Sequence, residues 1–145
     1  MLESAPILLA EDNPLDAELT LRAFSEVGMS ERVVHVVDGV EVLLYLRREG
    51  RFAVRAPGLP AVVILDLKMP RLDGLGTLRA IRSDATLRLL PVVILTSSRE
   101  HADLLGSYEL GANAFVVKPV RFAEFMPAVQ SIANFWGTLN EIPPL

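Results

Sequence analysis

The sequence contains no cysteine, and it has no apolar run long enough to cross a bilayer. Without thiols the chain can form neither a disulfide framework nor a thiolate metal centre. Its longest apolar runs, 61–65 and 91–95, are far shorter than the roughly 20 residues that a membrane-spanning helix needs. The first ten residues carry Glu3 and no basic leader, so we expect no signal peptide, no membrane contact and a cytoplasmic location.

A surplus of basic charge is also missing. The chain has 14 Lys and Arg residues against 18 Asp and Glu residues, a formal net charge of −4. Nucleic-acid-binding domains usually carry a basic face, so we expect no direct contact with nucleic acid. With 145 residues, 51% of them hydrophobic and 22% charged, the chain has the length and composition of one folded domain with one core.

Short apolar runs with the composition of strands alternate five times with helical patterns. The runs are almost continuous in Val, Ile and Leu, which is typical of parallel strands covered by helices on both faces. Right-handed crossovers between five such units favour a flavodoxin-like (βα)5 α/β fold, a doubly wound sheet of five parallel strands in the order 2-1-3-4-5. The expected strands are 7–10, 33–37, 61–66, 92–96 and 114–118. We expect this domain to cover residues 1–137, followed by a C-terminal tail over residues 138–145.

Two of the expected helices carry informative details. The first runs from about Pro14 to Val27, stops before Gly28, and has apolar residues at a spacing that predicts a buried stripe. That stripe consists of Leu15, Leu19, Phe24 and Val27. The last helix contains Pro127, which has no N–H group to donate, so we expect an irregular first turn or a kink there.

Polar side chains follow four of the five expected strands. The first strand is followed by Glu11 and Asp12, the third ends in Asp66, and the fourth and fifth end in Thr96 and Lys118. In doubly wound sheets, ligands bind beyond the carboxyl ends of the strands, at the switch between strands 1 and 3. Each residue alone is an ordinary strand end. Their coincidence on four strands favours one shared site.

The three acidic side chains of this set predict a cation site. Two carboxylates 4 Å apart repel each other by about 4 kcal/mol at an effective dielectric constant near 20, so such a cluster raises a pKa or recruits a cation. Oxygen ligands without His or Cys favour hydrated Mg²⁺. A cation, the ammonium of Lys118 and the hydroxyl of Thr96 would together cradle a phosphoryl group during its transfer.

Four segments resemble the receiver domain of two-component response regulators, from about residue 7 to residue 135: ILLAEDNP, VVILDLKMPRLDG, VVILTSS and AFVVKP. The resemblance implies that Asp66 accepts a phosphoryl group and that the chain signals through protein contacts, without acting as an enzyme on an outside substrate. It also implies the ligands of Mg²⁺ or Mn²⁺, which are Glu11 (through water), Asp12, Asp66 and the backbone carbonyl of Lys68. It implies that Thr96 and Lys118 bind phosphoryl oxygens, that Thr96 and Phe115 form the switch, and that the bond from Lys118 to Pro119 is cis.

A closer resemblance is to stand-alone regulators paired with phytochrome-type histidine kinases. It rests on LRREG before a long loop, on SYELGANAF, and on the ending VQSIANFW with a short proline-bearing tail. This resemblance implies a sensor histidine kinase of phytochrome type as the partner. The chain departs from the commonest family pattern at Lys68, Arg121 and Pro127, and we expect the ammonium of Lys68 to affect the lifetime of the phosphoryl group.

The end of the chain carries an apolar set that a lone monomer would expose. Its members are Trp136, Leu139, Ile142 and Leu145. Exposed apolar patches of this kind mark interfaces, so we expect a homodimer through the last helix, the tail and the face of the fourth helix. A tail folded back on its own domain is the alternative.

Three other interpretations of the site are weighed against the receiver. A phosphohydrolase would use Asp66 as its nucleophile, but that chemistry usually needs a second Asp two positions later, where this chain has Lys68. A flavodoxin-like cofactor carrier would need a Ser/Thr/Gly-rich loop after the first strand, where Glu11 and Asp12 would repel phosphate. A degenerate receiver would bind partners without phosphorylation, which the complete set of acids, Thr and Lys disfavours.

Overall fold

Five parallel strands form one sheet in the protein, whose computed structural model describes residues 5–144. The strands are β1 (Ile7–Ala10), β2 (Val33–Val36), β3 (Val62–Leu65), β4 (Val92–Thr96) and β5 (Ala114–Val117). The helices are α1 (Pro14–Glu26), α2 (Gly39–Arg47), α3 (Gly74–Ser83), α4 (His101–Glu109) and α5 (Phe122–Asn134). The strand order is β2-β1-β3-β4-β5, which confirms the predicted flavodoxin-like topology. Over the described residues, no helix has the length and apolar character needed to cross a membrane.

The three central strands are completely buried because helices cover both faces of the sheet. Successive side chains of a strand point to opposite faces, so each apolar run contributes to two separate cores, where the length and composition predict one. On β1, Leu8 and Ala10 belong to one core, while Ile7 and Leu9 belong to the other. Strands β3 and β4 alternate in the same way, which explains why their apolar runs are continuous.

Helices α1 and α5 cover one face of the sheet, and α2 and α3 pack against the other. The first layer includes Phe24 of α1 and Val129 of α5, both fully buried. The second layer includes Leu46 of α2 and Leu78 of α3. Because the helices lie along the faces, the loops that follow the strands gather at the carboxyl edge of the sheet.

Helix α1 buries a different stripe from the predicted one. Its buried side chains are Ala17, Thr20, Ala23 and Phe24. In contrast, Leu15 is 62% exposed, and Leu19 and Val27 are half-buried. The face that α1 turns toward the sheet thus carries mostly small side chains, and the leucines lie at the flank of the contact and not at its centre. The predicted stripe is therefore right at Phe24 and wrong at Leu15.

Helix α5 continues through Pro127 without a break. Pro127 lies in the second turn, and its missing N–H deprives the carbonyl of Ala123 of one helical hydrogen bond. Beyond Asn134 the backbone continues as a π-helical turn, Phe135–Leu139. The predicted boundary between residues 137 and 138 falls inside this turn, and it stays a prediction.

The apolar residues at the end of the chain are only partly exposed. Leu139 is 69% exposed, but Trp136 and Ile142 are half-buried. Trp136 packs against the core between the sheet and α1 and α5, and its ring meets Phe135 edge-on with centroids 4.9 Å apart. Trp136 is therefore less exposed than the sequence predicts, because its side chain packs partly against its own domain. Leu145 lies outside the described residues.

Arg82 of α3 ties three segments together at the amino edge of the sheet. Its guanidinium donates hydrogen bonds of 2.7–3.1 Å to the carbonyls of Arg88, Leu90 and Gly111 and to Oδ1 of Asn113. The planar fork of an arginine presents these donors in fixed directions, whereas a lysine has a single ammonium at the end of its chain. Arg82 thus fastens the segments that lead into β4 and β5.

The substitution Arg82→Lys is expected to lower the free energy of unfolding by about 1–2 kcal/mol, because the part-buried carbonyl of Leu90 and the exposed acceptors of Arg88, Gly111 and Asn113 lose donors. Urea unfolding followed by circular dichroism measures this change. The control is Arg79→Lys, at an exposed arginine of the same helix, which should change stability by less than about 0.5 kcal/mol. Equal losses in the two variants would contradict the role of Arg82.

Candidate functional site

The carboxyl edge of the sheet brings four strand ends together in one cleft. Ala10 of β1 is in register with Leu65 of β3, and Leu65 is in register with Ile94 of β4, so the residues that follow these strands lie side by side. The lining of the cleft includes Asp12, Asp16, Asp66, Lys68, Thr96 and Lys118. The convergence of strand ends that the sequence predicts is therefore present.

Asp66 follows β3 and is only 7% exposed. Its Oδ2 accepts a hydrogen bond of 2.7 Å from the ammonium of Lys118, and its Oδ1 accepts one of 3.3 Å from the backbone N–H of Lys68. Each carboxylate oxygen can accept further bonds. The carboxylate is thus held in one orientation with acceptor capacity left over, which a nucleophile or a metal ligand requires.

The ammonium of Lys118 joins three carboxylates. Besides Asp66, it donates to Oε1 of Glu11 at 2.5 Å and to Oδ2 of Asp16 at 2.8 Å. The side chain of Lys118 is only 5% exposed. Burial by itself lowers the pKa of Lys118, but the hydrogen bonds to Asp16, Asp66 and Glu11 outweigh it and raise that pKa above its usual value. The site therefore contains a permanent positive charge.

Glu11 is buried at the end of β1, and its Oε2 accepts a hydrogen bond of 3.0 Å from the backbone N–H of Asn13. Burial raises the pKa of Glu11 to about 7, opposed by the hydrogen bond from Lys118 and helped by the negative charge of Asp66. His35 of β2 donates from Nε2 to the backbone carbonyl of Glu11 at 2.8 Å, since a carbonyl can only accept. The ring of His35 thus positions the backbone of the acidic strand end.

Three acidic side chains meet in an arrangement that fits a divalent cation. Glu11, Asp12 and Asp66 each offer one oxygen within 4.8 Å of the other two. Asp12 is exposed at the mouth of the cleft, whereas Glu11 and Asp66 are buried. Carboxylate oxygens suit the hard cations Mg²⁺ and Mn²⁺. The donor set therefore matches the cation that the sequence predicts.

Thr96 and Phe115, the predicted switch pair, lie on neighbouring strands. Thr96 ends β4 and is fully buried, and its Oγ1 accepts a hydrogen bond of 3.3 Å from the backbone N–H of Ser98. Phe115 of β5 is in register with Ile94, two residues before Thr96, and packs half-buried against the core that Ile94 joins. The two side chains therefore share one face of the sheet, and their switch role stays a prediction.

Close backbone contacts hold the loop that leads from Asp66 to α3. A Cβ atom on Gly74 would lie 2.4 Å from the carbonyl oxygen of Asp66, too close for any residue but glycine. A Cβ atom on Gly39, the first residue of α2, would lie 1.9 Å from Oγ1 of Thr77, and the N–H of Gly39 donates to the carbonyl of Leu72 at 3.0 Å. The start of α2 and the loop after β3 thus interlock and fix the backbone of Asp66.

Lys68 directs its side chain toward α4. Its Nζ lies 3.4 Å from Oδ2 of Asp103, and the same carboxylate oxygen accepts a hydrogen bond from the hydroxyl of Ser98. Lys68 thereby connects the loop after β3 with the loop after β4. The role of its backbone carbonyl as a metal ligand stays a prediction.

The peptide bond between Lys118 and Pro119 is trans, and residues 5–144 contain no cis peptide bond. The predicted cis bond is therefore wrong for this structure. The trans form is favoured by about 0.5–1 kcal/mol even before proline. With this backbone, the ammonium of Lys118 already reaches three carboxylates.

Two residues of the site, Asp16 and His35, were not expected there from the sequence. The available signal for Asp16 was its place in the first turn of the helix that follows the acidic pair Glu11 and Asp12. His35 is in register with Leu9 on the neighbouring strand, but its target is a backbone carbonyl, which leaves no mark in a pattern of side chains.

The substitution Gly74→Ala is expected to lower the free energy of unfolding by about 1–3 kcal/mol, because the added methyl group overlaps the backbone of Asp66 and Leu67. Chemical unfolding measures this loss. Gly106→Ala within α4 is the matched control, since its Cβ would meet only a Leu75 methyl group at 3.8 Å. Helix propensity predicts that the control gains up to about 1 kcal/mol. A neutral Gly74→Ala would contradict the close contact.

The site lies within a stretch that matches a known family. The sequence profile of the response regulator receiver domain matches residues 7–130. The probable methanogenesis regulatory protein FilR2 of Methanothrix harundinacea is 38% identical over 138 residues, which cover 94% of this chain and 86% of FilR2. The response regulator Rcp1 of Synechocystis sp. is 31% identical over 137 residues, which cover 94% of this chain and 92% of Rcp1.

Solved structures of similar sequence share the fold. The crystal structure of the phosphorylated cyanobacterial phytochrome response regulator RcpA has a TM-score of 0.88 at 35% identity, covering 96% of this chain and 98% of the RcpA chain. The crystal structure of the Mn²⁺-bound form of Rcp1 has a TM-score of 0.87 at 29% identity, covering 96% of this chain and 99% of that one. The similarity thus extends over nearly the whole chain.

Proposed function

We propose that this chain, which belongs to the response regulator receiver domain family, is a single-domain response regulator. It accepts a phosphoryl group on Asp66 from a histidine kinase. The observation that carries this proposal is the 2.7 Å contact between Oδ2 of Asp66 and the ammonium of Lys118, in a cleft also lined by Asp12 and Thr96. Phosphoryl transfer to a carboxylate requires an oriented nucleophile and positive charge around the transferring group. The four side chains supply the nucleophile, part of that charge and a hydroxyl donor.

In the proposed reaction, an oxygen of Asp66 attacks the phosphorus of a kinase phosphohistidine, in line with the bond to the leaving nitrogen. The P–O bond forms as the P–N bond breaks, and the imidazole leaves with the electron pair and takes a proton from solvent. Lys118 and the hydroxyl of Thr96 donate hydrogen bonds to the phosphoryl oxygens. Water later hydrolyses the acyl phosphate and restores the carboxylate.

The proposed cation is Mg²⁺ or Mn²⁺, held by Asp12, Asp66 and the backbone carbonyl of Lys68, with Glu11 acting through water. Bound there, the ion supplies charge that offsets the repulsion between the carboxylate and the incoming group. The carboxylate oxygens within 4.8 Å of one another support this assignment, as does the Mn²⁺-bound form of the related Rcp1.

A role as an enzyme on an outside substrate is not part of this proposal. A phosphohydrolase would need a general acid two residues after Asp66, and the ammonium of Lys68 at that position is directed toward Asp103. A phosphate-carrying cofactor would meet the negative charges of Glu11 and Asp12 after β1. The phosphoryl group on Asp66 is instead a reversible mark that changes protein contacts.

The proposed switch couples the mark to the face formed by α4, β5 and α5. Phosphorylation adds about −1.5 to −2 charges, and Thr96 moves toward the new oxygens and vacates space that Phe115 fills. Moving a population from 1:99 to 99:1 requires about 5.5 kcal/mol of preference for the active form. Both residues lie on the face of the sheet that also receives α3 and the segment after α4, so a change there reaches α4.

The proposed partner is a sensor histidine kinase of phytochrome type, met in the cytoplasm. Exposed apolar side chains border the phosphorylation site: Leu15 is 62% exposed, Phe122 47% and Val120 92%. They line a groove of about 330 Å³ that also includes Asp16 and Lys118. Apolar side chains beside a polar site are typical of a surface that binds another protein. The similarity to RcpA and Rcp1 supports the phytochrome type.

Incubation with acetyl phosphate and Mg²⁺, followed by intact-mass spectrometry, tests the acceptor. We expect one added phosphate on the wild type, none on Asp66→Asn, and none when EDTA removes the cation. Glu18→Gln, at an exposed acid of α1, is the control and should be labelled like the wild type. Label retained on Asp66→Asn would contradict the assignment. Steady release of phosphate from varied esters would favour a hydrolase. A folded wild type that takes up no phosphate would favour a degenerate receiver.

The chain is also proposed to form a homodimer through α5, the tail and the face of α4. Apolar side chains remain exposed along this surface: Leu105 and Tyr108 on α4, and Phe135 and Leu139 beyond α5. Exposed apolar side chains are typical of surfaces that a second copy covers.

The substitution Leu139→Ser is expected to raise the dimer dissociation constant about tenfold or more, because burying a leucine contributes about 1.5–3 kcal/mol. Sedimentation velocity over a range of concentrations measures this constant. Val54→Ser is the control, since Val54 is 94% exposed in the loop between α2 and β3. A wild type that stays monomeric at all concentrations, or equal effects of the two substitutions, would overturn the proposed interface.

A further inference from the structure

We propose that Asp16 competes with the phosphoryl group for the ammonium of Lys118 and so sets how readily Asp66 is phosphorylated. This inference rests on the proposed function of Asp66 as the acceptor. Asp16, on α1 beside the acidic cluster, would thus restrain the phosphorylation of Asp66. Asp16 is in this sense a positioning residue, because it acts on the reacting group through Lys118.

The first step of the argument is the number of donors on Lys118. An ammonium has three N–H donors. All three are used, by Oε1 of Glu11 at 2.5 Å, Oδ2 of Asp66 at 2.7 Å and Oδ2 of Asp16 at 2.8 Å. A phosphoryl oxygen that takes a hydrogen bond from Lys118 must therefore displace one of these carboxylates.

The second step is the cost of releasing each carboxylate. The side chain of Glu11 is only 2% exposed, so a released carboxylate there would lose its partner without gaining water. Asp66, 9% exposed, is the acceptor itself and stays beside Lys118 as it binds the phosphoryl group. The side chain of Asp16 is 25% exposed and lines the open cleft. A released Asp16 can be solvated by turning outward, so Asp16 is the group that the phosphoryl oxygen displaces.

The third step is that Asp16 holds its place independently of Lys118. Its backbone N–H donates to Oδ1 of Asn13 at 3.0 Å, and its carbonyl accepts from the hydroxyl of Thr20 at 2.7 Å. Both contacts involve the backbone of Asp16 and remain when the side chain is changed. A substitution at this position therefore tests the contact with Lys118 without moving α1.

The phosphoryl group and Asp16 also share the same sign of charge. Transfer from acetyl phosphate forms a P–O bond to Asp66 and breaks the P–O bond to acetate, which leaves with the electron pair. During this step the carboxylate of Asp16 occupies one donor of Lys118 and repels the incoming group. Removing that carboxylate frees the donor and lowers the repulsion, so both effects favour the phosphorylated form.

The test measures binding of beryllofluoride, a phosphoryl mimic, by ¹⁹F NMR at Mg²⁺ concentrations that saturate each protein. Asp16→Asn is expected to bind beryllofluoride about three- to tenfold more tightly than the wild type, as the loss of one competing hydrogen bond predicts. Asp16→Ala should bind at least as tightly as Asp16→Asn, because it retains no acceptor. With acetyl phosphate, the half-saturating concentration should fall by a similar factor.

The control is Glu18→Gln, which removes one charge from the same helix at a residue paired with Arg22. Its beryllofluoride affinity should match that of the wild type. Unchanged or weaker beryllofluoride binding in both Asp16 variants would overturn the proposed competition for Lys118. An equal gain in beryllofluoride affinity in Glu18→Gln would overturn it too. If the wild type binds beryllofluoride and accepts phosphate while the Asp16 variants behave like it, this inference fails and the proposed function stands. If the folded wild type accepts no phosphate, the proposed function itself fails.

Discussion

The ammonium of Lys118 allows Glu11 and Asp66 to be buried side by side at the edge of the sheet. Burial and the negative charge of Asp66 raise the pKa of Glu11 to about 7, and the ammonium of Lys118 opposes this rise and so favours the ionised form of Glu11. Lys118 reaches both from β5, across the end of β4, and thereby ties the first, third and fifth strands of the chain to one point. Opposite charges on separate strands thus hold the cleft together.

Much of this arrangement follows from local patterns. The continuous apolar run of β3 predicts a strand covered on both faces, and parallel register then carries Asp66 to the same edge as Glu11. Right-handed crossovers leave few strand orders for five such units, and 2-1-3-4-5 is a common one among them. For this reason the fold and the meeting of residues 12, 66, 96 and 118 could be predicted without coordinates.

Other features depend on distances that no pattern records. The exposure of Leu15 follows from which face α1 turns toward the sheet, and that face carries the small residues Ala17 and Ala23 together with Phe24. Trp136 lies in the π-helical turn beyond α5 and is half-buried against the core between the sheet and α1 and α5. The contact between Asp16 and Lys118 joins residues that are 102 positions apart. Glu11 and Asp66 already account for a positive charge at Lys118, so the sequence gives no reason to expect a third carboxylate there.

The interlocked glycines divide the carboxyl edge into two mechanically different halves. On the side of α2 and α3, Gly39 and Gly74 bring backbone so close to neighbouring backbone or side chain that no Cβ atom would fit at either position. On the side of α4, the buried side chains of the helix are the polar Asp103 and Ser107, and leucines point outward. The loop after Asp66 is therefore closely packed on the side of α2 and α3, whereas α4 contributes no buried apolar side chain of its own on the other side.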